Sequence, residues 1–324
     1  MGPNTTTEAP NRALIKALRQ HLEASLLPGD GLTDKAKLDE AAAYLLAAAA
    51  TRAPGTPLVQ LESASEGHRH LRIALVNDDQ PFLVDSVAAT IAKLGLAIDL
   101  LLHPVIAVER DEAGVLTALP KPGTKASGPR ESLIYIETPR VDARQRRDLL
   151  EALQTTLGDA HAAVADWPLM QAVMAEDAAR IAPTDPEASA LLGWLGGGML
   201  TQLGHMVRER GGATTARVGL CRASAQELLA DVSMARAFAW FDADPARVLL
   251  AIKSNVAARV HRASPLDLFI TPLRDKKGKT TALSIHAGLW TSAALNARPQ
   301  EVPVLRATLA NMTARLGFDP GGHN

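Results

Sequence analysis

Cysteine is nearly absent from this 324-residue chain. Cys221 stands alone, which excludes an intrachain disulfide and any multi-cysteine metal site, and fits a cytoplasmic setting. Aromatic residues are 3% of the chain, too few for the rows of rings on which nucleic-acid bases stack. An excess of one charge sign is missing too: 34 Lys and Arg stand against 35 Asp and Glu, for a net charge of -1. That balance offers no whole-chain field for nucleic acid or an anionic membrane. No run reaches the ~18–20 apolar residues of a membrane span. The longest, Ala41 to Ala50 with Tyr44 inside it, reads as a buried or amphipathic helix. The N-terminus lacks the cationic start and apolar core of a secretory signal. Met1-Gly2-Pro3-Asn4-Thr5-Thr6 matches the bare myristoylation pattern, but Pro3 beside the acceptor glycine makes it a chance match.

What is present is the composition of a folded protein. Hydrophobic residues are 47% and charged residues 21%, which excludes wholesale disorder. The length predicts two domains at roughly 100–200 residues each. With so few rings, the cores must be built from Ala, Leu, Val and Ile. Residues 1–10 read as a loose tail. Residues 11–60 read as a helical segment: Leu14, Leu18, Leu22 and Leu26 form one stripe, ended by Pro28-Gly29-Asp30-Gly31. Thr33 then caps a helix bearing Leu38, Ala41, Ala42, Leu45 and Leu46.

Residues 61–182 carry the most informative pattern. Leu71 to Val76 is a strand, broken at Asn77-Asp78-Asp79-Gln80-Pro81. Phe82, Val84, Val87, Ile91 and Leu94 recur at helical spacing, and Gly95 ends that helix. Leu96 to Val108 reads as a second strand and Asp111-Glu112-Ala113-Gly114 as a hairpin turn. A return strand starts at Val115, is interrupted at 120–130 and resumes over Ser132 to Glu137. Val141 to Leu157 is an amphipathic helix, and Asp159 to Asp166 reads as a short fourth strand. The order is that of an α+β, ferredoxin-like βαββαβ module. Trp167 to Ile181 leaves it as an exit helix, and Pro183-Thr184-Asp185-Pro186 is the expected boundary. Residues 187–324 read as a second α+β module. Its first helix, Glu187 to Leu195, stops at Gly196-Gly197-Gly198. Strands follow at Met199–Arg208, Ala216–Arg222, Arg247–Ser254, Leu268–Leu273 and Leu283–Thr291, with a closing helix from about Val302 to Leu316.

Two constellations could hold a ligand. Asn77, Asp78, Asp79, Gln80, Phe82 and Asp85 sit where a strand gives way to a helix. Unpaired N–H groups there suit a carboxylate, and an Asp suits an ammonium; the alternative is that an Asp merely caps the helix. Lys253, Ser254, Asn255, His261 and Arg262 could grip an anion, or equally brace a loop. His68 and His70 share a strand face but lack the further ligands zinc needs. Cys221, placed in an apolar strand, reads as a small buried hydrophobe. No nucleophile elbow, zinc-protease helix, P-loop or dinucleotide glycine motif is present. The residues alone favour a ligand-binding or scaffolding protein over an enzyme.

Several motifs, in order, add a resemblance. Val76-Asn77-Asp78-Asp79-Gln80-Pro81-Phe82-Leu83-Val84-Asp85-Ser86-Val87 is similar to the N-terminal region of the large bacterial NAD-specific glutamate dehydrogenases. So are His103-Pro104-Val105, Asp166-Trp167-Pro168, Trp194-Leu195, Lys253-Ser254-Asn255 and Val260-His261-Arg262. Further on, Gly288-Leu289-Trp290-Thr291-Ser292-Ala293-Ala294, Val302-Pro303-Val304-Leu305-Arg306 and Gly317-Phe318-Asp319-Pro320-Gly321-Gly322-His323 agree as well. The resemblance implies an ACT-like module followed by a PAS-type module. Both would serve regulation or homo-oligomer formation in an enzyme that converts L-glutamate, NAD and water to 2-oxoglutarate, ammonia and NADH. It implies no cofactor in this chain, NAD in the full-length enzyme, and the catalytic remainder as partner. A small amino-acid effector would sit at Asn77 to Gln80. The chain by itself is expected to be inactive. Its end at His323-Asn324, inside a family motif, implies a truncated reading frame, a split gene or a cut chain. The rival reading is a stand-alone ACT regulator. One stretch departs from the family: three of its aromatics are replaced by Leu200, Gln202 and His205.

Overall fold

The computed structural model describes residues 12–26, 34–65, 69–124, 128–224 and 227–316. The chain forms two units, Met1–Gly158 and Asp159–Asn324. The first holds α1 (Arg12–Ser25), α2 (Lys35–Ala49), β1 (Leu58–Ala64), β2 (His70–Asp78), α3 (Leu83–Lys93), β3 (Leu100–Leu102), β4 (Val105–Ala107), β5 (Glu109–Arg110), β6 (Leu116–Ala118) and β7 (Arg130–Pro139). Helix α4 (Ala143–Ala165) follows, its last residues falling in the second unit.

The first sheet is antiparallel, in the order β1-β2-β7-β3, with β4 also on β7. Strand β7 is inserted between β2 and β3, the split βαβ arrangement expected from the sequence. The fourth strand differs from the expectation. Residues 159–165 continue α4, and the edge beside β2 is taken by β1 from the N-terminal side. Ala160, Ala162, Ala163 and Ala165 explain the difference, because alanine is the strongest helix former and short apolar runs do not declare their period. The second strand is also split. Leu102 pairs with Tyr135 and Val105 with Ser132, so β3 and β4 keep one register on either side of His103 and Pro104. Pro104 has no N–H for the ladder, while its carbonyl accepts from Leu133 N at 3.0 Å.

Alternation along β2 and β7 buries both faces of the sheet. Leu71, Ile73, Leu75, Ile134 and Ile136 pack with Val87 and Ile91 of α3 and with Leu149 and Leu153 of α4. Ala74, Val76, Leu133 and Tyr135 pack on the other side against Leu18 and Leu22 of α1 and Leu38, Ala42 and Leu45 of α2. The N-terminal helices are therefore a third layer of the module, and not a separate segment. Asp34 caps α2, one residue after the expected Thr33, accepting from Ala36 N at 2.9 Å. The return strand from Val115 becomes β6, which pairs with β5 through the Asp111–Gly114 turn and is bridged to the end of α2, Leu116 N donating to Ala50 O at 2.9 Å.

The second unit begins with α5 (Trp167–Ile181), α6 (Pro186–Trp194) and a π-helical turn, Leu195–Met199, which ends at Gly198 with φ 104°. It continues with β8 (Leu200–Glu209), β9 (Thr214–Gly219), α7 (Leu220–Ala223), α8 (Asp231–Asp242), β10 (Leu250–Ala257), β11 (Pro265–Arg274), β12 (Thr280–Trp290), α9 (Ser292–Leu295) and α10 (Leu305–Leu316). Helix α5, read from the sequence as the exit helix of the first module, packs inside this unit: Met174, Ala178 and Ile181 meet Leu192, Leu195, Leu200 and Phe269. Pro183–Pro186 is the turn between α5 and α6, with Asp185 accepting from Ala188 N at 2.9 Å. The sheet is antiparallel in the order β10-β11-β12-β8-β9. Cys221 sits in α7 instead of a strand; burial pushes its thiol up to about 12, so it is an inert hydrophobe there.

Candidate functional site

The strand-end residues of the first unit are committed largely to one another and to their own chain. Asn77 is buried and its side-chain amide donates to the Asp78 carbonyl at 3.0 Å. Asp78 accepts from Arg52 Nη2 at 2.7 Å and from Gly55 N at 3.0 Å. The Asp79 backbone N–H donates to Arg130 O at 2.9 Å, while its carboxylate lies a longer 3.8 Å from Arg130 Nε. Gln80 Nε2 is buried with no hydrogen-bond partner among the described residues. No Asp caps α3: Phe82 occupies its N-cap at φ 72°, and Asp85 lies exposed in the first turn. Behind Asp78, Arg52 Nη1 and Arg110 Nε both donate to Glu131 Oε1 at 2.8 Å, and Arg110 Nη2 donates to Oε2 at 2.8 Å. The acidic segment is thus one end of a salt-bridge chain that ties the α2–β1 connection to β2, β7 and the β5–β6 hairpin.

A different feature of this unit has the form of a ligand site. Between α2, β1, β2 and β7 lies a cleft of about 310 Å³ lined by both charge signs. Sheet register builds it: Glu62 of β1 faces Arg72 of β2, and Arg72 faces Glu137 of β7. Arg72 lies 4.3 Å over the ring of Tyr44 and pairs with Glu62 at 3.1 Å, while its buried Nε has no hydrogen-bond partner among the described residues. Tyr135 donates to Glu137 Oε1 at 2.8 Å, and His70 Nε2 lies 3.9 Å from the same oxygen. Burial, then the charge of Glu62 for Tyr44 and of Glu137 for Tyr135, raises both phenols well above their ordinary range, so each stays a donor. Lys37 and Glu40 of α2 complete the rim. A cleft of this volume holding guanidinium, ammonium and carboxylates side by side is matched to a small zwitterion. Sequence reasoning weighed His70 as a zinc ligand and missed the cleft, because Glu62, Arg72 and Glu137 meet only through strand pairing.

In the second unit the five predicted anion-site residues do not converge. Lys253 pairs with Asp267 at 2.7 Å. Ser254 donates to Leu228 O at 2.8 Å, and Arg262 Nη2 donates to Trp290 O at 2.7 Å. Asn255 is exposed, and His261 has the positive φ of a tight turn, 72°. These are the contacts of a braced loop. Among the described residues no group of three or more His, Cys, Asp or Glu is placed to hold a metal ion, and His68 lies outside them. No described helix is long and apolar enough to cross a membrane.

Comparison with known proteins agrees with this first unit. Residues 27–153 match the family described as glutamate dehydrogenase, ACT1 domain. The chain carries a glutamate dehydrogenase ACT1 domain. It is 30% identical over 276 residues to an NAD-specific glutamate dehydrogenase of Halomonas elongata, covering 79% of this chain and 17% of that protein. It is 29% identical over 273 residues to the NAD-specific glutamate dehydrogenase of Pseudomonas aeruginosa, covering 78% and 17%. The chain thus spans about a sixth of the length of these glutamate dehydrogenases. Among solved structures, an RNA-binding light-oxygen-voltage receptor aligns over 90% of this chain and 89% of its own at 10% identity, with a TM-score of 0.20.

Proposed function

We propose that this chain is the N-terminal regulatory and oligomer-forming region of a large, cytoplasmic NAD-dependent glutamate dehydrogenase. The catalytic remainder would be its partner, and NAD would bind there. The observation that carries the reading is the ACT1 match over residues 27–153 in a chain that covers 17% of its relatives. The ACT1 unit is read as the sensor, with a small amino acid in the mixed-charge cleft: α-carboxylate toward Arg72, ammonium toward Glu62 or Glu137. Such an effector acts only through different affinities for two states of the enzyme. The second unit is read as a PAS-type module. Support comes from its five-stranded antiparallel sheet, in which the first strand, β8, pairs with the last, β12, and α7 and α8 lie between the second and third strands.

Calorimetric titration of the chain with the standard amino acids tests the sensor reading. A saturable heat with one of them, lost in Arg72→Gln and kept in Asp78→Ala, is the expected result. Loss in Asp78→Ala alone would move the site to the strand end at Asn77 to Gln80, and no heat from any amino acid would remove the effector. Incubating the chain with L-glutamate and NAD is expected to give no NADH; turnover would overturn the regulatory reading as a whole.

A further inference from the structure

A second cleft of the first unit, about 620 Å³ in volume, differs from the mixed-charge one in sign. It lies between α1, the His103-Pro104 break that separates β3 from β4, and the turn that follows β6. Its charged and titratable lining is His21, His103, Lys121 and Arg130, with the hydroxyls of Ser25 and Thr124 beside them. None of its described lining residues is Asp or Glu. In a chain with as many acidic as basic residues, such segregation calls for a reason.

Local structure places each cation. Lys121-Pro122-Gly123-Thr124 closes as a turn, with Thr124 N donating to Lys121 O at 3.2 Å and Gly123 at φ 78°. Pro at the second position and a positive-φ Gly at the third are the requirements of a type II turn, so the sequence itself fixes Lys121 at the rim. His21 Nε2 donates to Pro120 O at 2.7 Å and fastens that turn to α1. His103 Nε2 meets Ser132 Oγ at 2.5 Å, holding the ring where Pro104 interrupts the ladder. Arg130, at the start of β7, has a side chain 61% exposed and, among the described residues, only the long 3.8 Å approach to Asp79, so its guanidinium fork is lightly held.

We propose that this cleft binds a compact oxyanion, with Lys121 and Arg130 as the charged grips, His21 and His103 as its imidazole wall, and Thr124 as a hydroxyl donor. Guanidinium offers paired N–H groups to phosphate or carboxylate, and ammonium offers a point charge. The shared chemistry admits a phosphoryl group or a dicarboxylate. The site is separate from the amino-acid cleft and does not depend on that reading.

The test is a titration of the whole chain with inorganic phosphate and with succinate, followed by calorimetry or NMR, at ionic strength held constant with potassium chloride. One anion is expected to saturate with a dissociation constant of about 1 mM or tighter. Lys121→Gln and Arg130→Gln should each weaken it about tenfold, and the pair should abolish it. Both side chains are exposed, so the variants should melt like the parent protein. Tighter phosphate identifies a phosphoryl ligand, and tighter succinate a dicarboxylate; either, with the variant losses, supports the site. Binding no stronger than chloride screening, or full affinity in the double variant, overturns it.

Discussion

His286 stands 4.8 Å from His205, centroid to centroid, across the paired strands β12 and β8, and its Nε2 lies 2.8 Å from the Asp177 carboxylate of α5. The carboxylate accepts further from Thr271 at 3.0 Å and from Arg180 at 2.5 Å, and His205 Nε2 meets Ser284 Oγ at 2.9 Å. All but Arg180 are buried. Burial works against the charge on Asp177, but the His286 hydrogen bond, followed by those of Ser284 and Arg180, holds the carboxyl well below its usual range. This polar cluster lies on β8 and β12 of the second sheet. Leu200, Gln202 and His205 all become buried because the β12–β8 register slips between Ala287 and Gly288, turning both sides of an odd spacing inward.

The cluster predicts an acid limb in stability. Burial, then the neighbouring His286, lowers His205 to about 3. An unfolded histidine titrates near ~6.5, so the unfolded state binds the extra proton between these values. The contribution of His205 is complete above about pH 6.5 and is lost as pH falls through the window, with a limiting slope of about 1.4 kcal/mol per pH unit. Asp177, depressed in the folded state, adds its own loss only below the ordinary carboxylate range of about 3.9. Urea midpoints measured from about pH 7 to pH 4 should fall for the parent chain and flatten for His205→Phe. Equal slopes in the two proteins would assign the acid limb elsewhere.

Glu131 predicts the largest single-site loss in the first unit. Its carboxylate is 3% exposed and accepts from both Arg52 and Arg110. Glu131→Ala would leave the part-buried Arg110 guanidinium without its carboxylate and the buried Arg52 with Asp78 alone, and breaking a buried pair costs about 3–5 kcal/mol. Asp78 touches the same Arg52, but its side chain is 41% exposed, so water replaces much of what Asp78→Asn removes. That variant should cost no more than about 1 kcal/mol. Denaturant unfolding of both reads the contrast; similar losses would show that the network is held from its solvent end.

The extent to which residues announced this arrangement follows from how local each feature is. Leu71, Ile73 and Leu75, and the 3.6-residue recurrence of Val87 and Ile91, declare β2 and α3 within their own windows, and both elements form. The edge strand β1 declares itself poorly, because its pattern is half-exposed and it fills the place expected for a later strand. Helix α8 was missed in a stretch read as strand-rich, although Met234, Ala237, Phe238 and Phe241 bury one helical face. The clefts are the least legible. Glu62, Arg72 and Glu137 are ordinary surface charges in sequence, and become neighbours only through the β1-β2-β7 register.

Gly114 closes the β5–β6 hairpin under a constraint that its sequence context only half reveals. Asp111 Oδ1 accepts from Ala113 N and Val115 N at 3.0 and 2.9 Å, which shapes the turn and sets Gly114 at φ 79°. Any L residue there is strained by about 1–2 kcal/mol. The larger effect is contact: a Cβ at Gly114 would lie 2.4 Å from the Arg52 carbonyl oxygen, and the Gly114 carbonyl accepts from Arg52 N at 2.9 Å and from Arg110 Nη1 at 2.8 Å. The backbone of Arg52 cannot retreat without loosening the Glu131 network. Gly55 provides the control, since its φ is 74° but nothing lies within 4 Å of its would-be Cβ. Gly55→Ala should therefore cost only the backbone strain, and Gly114→Ala at least about 1 kcal/mol more. Thermal melts of the two variants measure the difference, and equal shifts would mean that the hairpin is not pressed against the α2–β1 connection.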